Sequence, residues 1–226
     1  MLPRTLRFLA VSRSVKATTQ PFYSGDTQTA PRHILVVGDS TMYGAGATSP
    51  DKTLGGLLAA HYPGASIETV AENGARVRDL AAQLSQARCE RYDLIIIGVG
   101  GNDIVRLSRY SVLRRQLRQI LERVSNRAET VVLLHSLNIG NTGFFIFPLN
   151  RLFDYRTQQL SLLYQAVVQG FSNVIYLNTY RPAKSDYYTP STRPQFLAAD
   201  GYHPSDYATE FFFQLILKAI ASHNLV

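Results

Sequence analysis

At 226 residues, 46% of them hydrophobic, the chain is long enough for a single domain with a full core. One cysteine, Cys89, excludes an internal disulfide, and no Cys/His cluster offers a metal site. The formal charge of +7 comes from 23 basic and 16 acidic residues; Arg4, Arg7, Arg13, Lys16 and Arg32 against Asp26 place +4 of it in residues 1–32 and leave +3 for the rest, which does not describe a nucleic-acid groove.

Residues 1–32 form a basic lead segment and residues 33–226 one domain, without repeat, low-complexity tract or linker. Within the lead, Leu6–Val11 is partly apolar but too short to span a bilayer. Arg7 and Arg13 flank it and no cleavage site follows, which argues against a secretory signal. A faint transit-peptide likeness and a short helix lying on the body or on a membrane surface both stay open. No other stretch reaches transmembrane length.

From His33 onward strand-like runs alternate with helix-like segments. Ile34–Val37 is the first strand, stopped abruptly by Gly38-Asp39-Ser40. A helix over Thr53–His61 ends at Pro63-Gly64, and Ser66–Val70 is the second strand. Val77–Ala87 reads as a helix carrying Leu80 and Leu84. Cys89, ahead of Tyr92, is expected to be an ordinary half-buried thiol. Leu94–Val99, the most hydrophobic run, is expected to be the central strand. One long helix is expected over Val105–Asn126, burying Leu113, Leu117, Ile120, Leu121 and Val124 and turning its arginines to water. Thr130–Leu134 is the fourth strand, and a helix over Leu149–Gln169 is expected to be capped by Gly170. Val174–Leu177 is the fifth strand and Ser205–Ser222 the last helix. The alternation predicts an α/β fold, a three-layer α/β/α sandwich around a five-stranded parallel sheet.

In such a sheet the loops after each strand meet at one edge, where ligands bind. Gly38-Asp39-Ser40, Ala71-Glu72-Asn73-Gly74-Ala75 and Gly98-Val99-Gly100-Gly101-Asn102-Asp103 all arrive there, joined by Asp200-Gly201-Tyr202-His203-Pro204 before the last helix. A serine hydroxyl needs a base to become a nucleophile. His203 is the candidate base for Ser40, with Asp200 three residues away to orient it. The backbone N–H groups of Ser40 and Gly74 and the side-chain amide of Asn102 suit an oxyanion. Taken singly, each residue also fits a turn or a helix cap; their convergence on one edge is what favours catalysis.

These blocks, in order and spacing from about Ile34 to the C-terminus, resemble the four signature blocks of the SGNH subgroup of GDSL esterases and lipases. Gly100-Gly101-Asn102-Asp103 keeps the family's Gly-x-Asn-Asp. The resemblance implies a flavodoxin-like SGNH hydrolase fold, a Ser40–His203–Asp200 triad, and oxyanion donors from Ser40, Gly74 and Asn102. No cofactor and no metal are expected. The lead, followed by Pro31-Arg32, also resembles that of a subgroup of bacterial members, so a bacterial, cytoplasmic protein is expected, with membrane association through residues 1–32 left open.

The reading is therefore a carboxylic ester hydrolase acting on a small-molecule ester. Phe144 and Phe145, in the aromatic run after the fourth strand, and Tyr188, before Asp200, are candidate substrate contacts that point to an apolar acyl group, lipase- or lysophospholipase-like. The run around Phe144 also fits a buried plug, and that alternative stays open. So do a carbohydrate or peptidoglycan O-acetylesterase, and a non-catalytic flavodoxin-like binding module, although no Gly-x-Gly-x-x-Gly or Walker-type run opens a helix here. His33 and His61 read as structural; His135 ends the fourth strand and either touches substrate or is a buried structural histidine. Oligomeric state is not legible in the sequence.

Overall fold

The computed structural model describes residues 21–182, 187 and 189–223. Tyr188 and residues 1–20 of the lead segment lie outside this set. Among the described residues the sheet has six strands, β1 (Tyr23–Ser24), β2 (His33–Gly38), β3 (Ser66–Ala71), β4 (Tyr92–Gly98), β5 (Ala128–Leu134) and β6 (Val174–Leu177), in the order β1-β3-β2-β4-β5-β6. Five are parallel, as the alternation predicts. The sixth is a correction. β1 comes from the stretch read as lead and pairs antiparallel with β3, Tyr23 opposite Glu68 and Ser24 opposite Ile67. Two residues are too short for a period-2 signal, so only the open edge of β3 reveals the strand.

The buried strands read as continuous apolar runs because both faces are covered. Leu35, Val37, Ile95, Ile97, Val131 and Leu133 face α3 (Leu80–Gln86), α5 (Tyr110–Ser125) and α6 (Leu149–Val168). Ile34, Val36, Leu94, Ile96, Val132 and Leu134 face α2 (Leu54–His61) and α8 (Asp206–His223). The three layers follow from this alternation. β4 is central, and the strand ends are level, with Gly38 opposite both Ala71 and Gly98, and Gly98 opposite Leu134.

Two predicted helices are interrupted. Val77–Asp79 is a 3-10 turn ahead of α3, stitched by Arg76 N–H to Asp79 Oδ2 at 2.9 Å. The helix expected over Val105–Asn126 is really α4 (Gly101–Val105), a break and then α5. In the break Leu107 adopts φ 55°, a left-handed backbone uncommon for leucine. Ser108 donates to the buried Asp103 from its N–H (to the carbonyl, 2.9 Å) and from its hydroxyl (to Oδ1, 2.7 Å). Arg156 on α6 binds the Ile104 and Ser108 carbonyls. These polar bonds compete successfully with helix continuation. The five apolar residues assigned to the buried side of α5 are all buried. α6 ends at Val168, and Gly170 does not take the left-handed conformation expected of a C-cap.

Candidate active site

The nucleophile turn is built at the end of β2. Gly38 has φ 145°, and a Cβ there would stand 1.9 Å from the Gly98 carbonyl oxygen, so only glycine lets β2 and β4 end side by side. Gln83, wholly buried on α3, clamps this glycine: Gly38 N–H donates to Oε1 at 2.9 Å and Nε2 donates to the Gly38 carbonyl at 2.8 Å. Asp39 then caps α1 (Ser40–Tyr43), its Oδ1 accepting from Thr41 N–H at 3.0 Å. Ser40 is the first residue of that short helix.

His203 and Asp200 arrive on the loop between α7 (Arg193–Phe196) and α8. The loop is pinned by Ala198 N–H to the His203 carbonyl at 2.8 Å and by Gly201 at φ 71°. His203 Nε2 lies 3.0 Å from Ser40 Oγ. On the other side of the ring, Nδ1 lies 2.6 Å from Asp200 Oδ2. Asp200 Oδ1 accepts the backbone N–H groups of Tyr202 and His203 at 2.8 and 3.0 Å. Burial pushes the Asp200 carboxyl up, but these donors outweigh it and hold it at about 2. An ionised Asp200 keeps the proton on Nδ1 and leaves Nε2 to accept from Ser40. Asp39 is the reverse case: burial raises it to about 6 against the pull of Thr41 and His203.

Asn102, on α4, donates from Nδ2 to the Ala75 carbonyl at 3.1 Å. That bond fixes the amide against the loop that carries Gly74 and leaves its second N–H for another acceptor. Gly74 has φ 80°, and the Arg106 guanidinium stands beside it. Asp103 holds the same loop from below, accepting Val77 N–H at 3.0 Å.

Ser40, Asn102 and His203 line one cleft of about 690 Å³, counted to its open mouth. Its walls are mostly apolar, with Met42, Leu134, Leu137, Ile139, Tyr202 and Phe212. Phe144 and Phe145 are not among the lining residues. Phe145 is buried against Phe153, and Phe144 packs edge-on to Phe145 and to Tyr202. Phe145 is therefore part of the core and Phe144 packs half-buried against it, whereas Ile146 and Phe147, the rest of the run, are exposed. His135 is buried under the rim, its Nδ1 bonded to the Ser136 carbonyl, and burial lowers it to about 4. The sequence assigns no site role to Gln83 or Ile139, and Tyr202 enters only as a member of the fourth block. Gln83 carries a signal of its own, as an amide on the apolar side of a helix between Leu80 and Leu84.

The sequence profile of the GDSL-like lipase/acylhydrolase family matches residues 36–209, which includes all four blocks. The chain belongs to that family. It is a carboxylic ester hydrolase of the GDSL type. No curated protein matches it in sequence. Among solved structures the GDSL hydrolase resembles an acetylxylan esterase, Axe2 of Geobacillus stearothermophilus, with TM-score 0.62 and 21% identity over 84% of this chain and 94% of that one. It also resembles an extracellular lipase of Streptomyces rimosus, with TM-score 0.58 and 19% identity over 83% and 99%. An α/β hydrolase enzyme, LAE5, from the metagenome of Lake Arreo, Spain, gives TM-score 0.63 and 18% identity over 84% and 95%. At these identities the likeness shows a shared fold. No helix among the described residues is long and apolar enough to cross a membrane.

Proposed function

We propose that this GDSL hydrolase cleaves carboxylic esters with an apolar acyl group, using Ser40 as nucleophile, His203 as general base and acid, and Asp200 to orient the imidazole. The observation that carries the reading is the unbroken Ser40–His203–Asp200 hydrogen-bond relay, 3.0 and 2.6 Å, opening on an apolar cleft. Ser40 Oγ attacks the ester carbonyl while His203 Nε2 takes its proton. The developing oxyanion is held by Ser40 N–H, Gly74 N–H and Asn102 Nδ2. His203 then gives the proton to the departing alcohol. Water, deprotonated by the same imidazole, attacks the acyl-enzyme and releases the acid. Met42, Leu134, Ile139 and Phe212 receive the acyl chain.

The test is hydrolysis of p-nitrophenyl esters of increasing acyl length by wild type, Ser40→Ala and Asn102→Ala. Ser40→Ala is expected to lose at least ~10⁴-fold in kcat. Asn102→Ala is expected to lose ~10²–10³-fold. Turnover is expected to rise from acetyl to medium chains; a strict acetyl preference would instead favour an O-acetylesterase. Unchanged turnover in Ser40→Ala would end the nucleophile assignment.

A further inference from the structure

Eight large hydrophobic side chains are exposed among the described residues, and six of them come from three neighbouring stretches: residues 146–147, α6, and the break between α4 and α5, two helices that both pack on α6. Ile146 and Phe147 end the segment that supplies Ile139 and Thr142 to the cleft, and Phe147 is 78% exposed. α6 begins two residues later and continues the face with Leu152, Tyr155 and Leu162, spaced three and seven residues apart on its solvent side. Leu107 joins from the break between α4 and α5, in the turn whose carbonyls Arg156 ties to α6. Single exposed leucines are ordinary; a group of this kind beside a cleft marks an interaction surface.

The charge around it is predominantly positive, although Arg118 is paired with Glu122 on α5 at 3.1 Å. Residues 104–118 and 139–169, which build this face, hold seven arginines (106, 109, 114, 115, 118, 151 and 156) and one acid, Asp154. Asp154 is turned inward, accepting from Asn138 at 2.7 Å and Tyr180 at 3.1 Å. Arg109, Arg114, Arg115, Arg118 and Arg151 are exposed. Apolar side chains standing out of a cationic field suit the boundary between anionic headgroups and acyl chains. They do not suit a second copy of the chain, since a twofold contact sets the same arginines against one another.

We propose that this face, Leu107 with Ile146 to Tyr155 and the arginines around them, seats the protein on an anionic lipid bilayer with the mouth of the cleft turned to the membrane. The surface is separate from the catalytic residues, and its test does not need turnover. The full chain is floated with vesicles of phosphatidylcholine alone and of phosphatidylcholine mixed with phosphatidylglycerol. Expected is binding to the mixed vesicles that weakens as salt is raised. The triple variant Phe147→Ser, Leu152→Ser, Tyr155→Ser is expected to keep the wild-type circular dichroism and melting temperature and to bind about tenfold more weakly, or less. Arg109→Gln with Arg151→Gln is expected to weaken binding and flatten its salt dependence. Three results would overturn the proposal. Wild type does not bind the mixed vesicles; the folded triple variant binds as well as wild type, which would move binding elsewhere on the chain; or sedimentation shows a dimer that the triple variant dissociates.

Discussion

Asp39 and Ser40 both border the cleft but differ in burial. Ser40 is half-buried there, whereas Asp39 is buried and its carboxyl is raised from 3.8 to about 6. A carboxyl with a raised folded-state pKa binds its proton more tightly when folded. Its contribution therefore falls as pH rises from about 4 through 6 and is a full cost at neutrality. Asp39→Asn keeps an oxygen for Thr41 N–H and removes the buried charge. It is expected to stabilise the fold by about 1–3 kcal/mol at neutral pH and by nothing below pH ~4. Urea midpoints at the two pH values check this; an equal gain at both would contradict the burial account.

Among elements, the junction of β2 with α3 decides how firmly the nucleophile is held. Gln83 satisfies both peptide groups of Gly38, one residue before Asp39. Gln83→Leu preserves volume but leaves the buried Gly38 N–H without an acceptor. It is expected to cost about 2–4 kcal/mol in denaturant unfolding. It is also expected to lower kcat more than it raises KM, because the turn that aims Ser40 loosens while the cleft walls stay. A loss of stability with kcat unchanged would reduce Gln83 to a core residue. The break between α4 and α5 has the same logic. Periodicity in Val105–Asn126 gives the buried side of α5, while Asp103, Ser108 and Arg156 end α4 early and present Leu107.

Across the whole molecule, acid stability is a balance between groups of opposite sign. His135 is held neutral, its value lowered from 6.5 to about 4 by burial, so the folded state binds that proton less well than the unfolded chain. Its contribution is present above pH ~6.5 and is lost as pH falls toward 4, up to about 3 kcal/mol. Asp39 acts in the other direction over much of the same window, and Asp200, lowered to about 2, adds a loss only below 3.8. Asp39→Asn is therefore expected to lose stability as pH falls from 6.5 to ~4, His135→Gln to gain it over the same range, and wild type to vary least of the three. Identical slopes in all three proteins would show that neither group carries the dependence.

The sequence by itself determined the five parallel strands, the two-sided core and the four blocks that carry the family. These are written in local period and composition: continuous apolar runs from burial on both faces, glycines where strands end level, polar residues where loops meet. Only the tertiary structure decided the rest. β1 forms because the edge of β3 has unpaired peptide groups for it, and two residues carry no period. Phe145 turns into the core against Phe153, and Phe144 lies half-buried behind the cleft-lining Tyr202, placements that depend on partners elsewhere in the chain. Gln83 is an unexplained amide on the apolar side of its helix until Gly38 is placed opposite it, 45 residues away in the chain. The spacing of Asp200 and His203 is local and legible, but the 3.0 Å from His203 to Ser40 spans 163 residues and exists only because the sheet brings both loops to one edge.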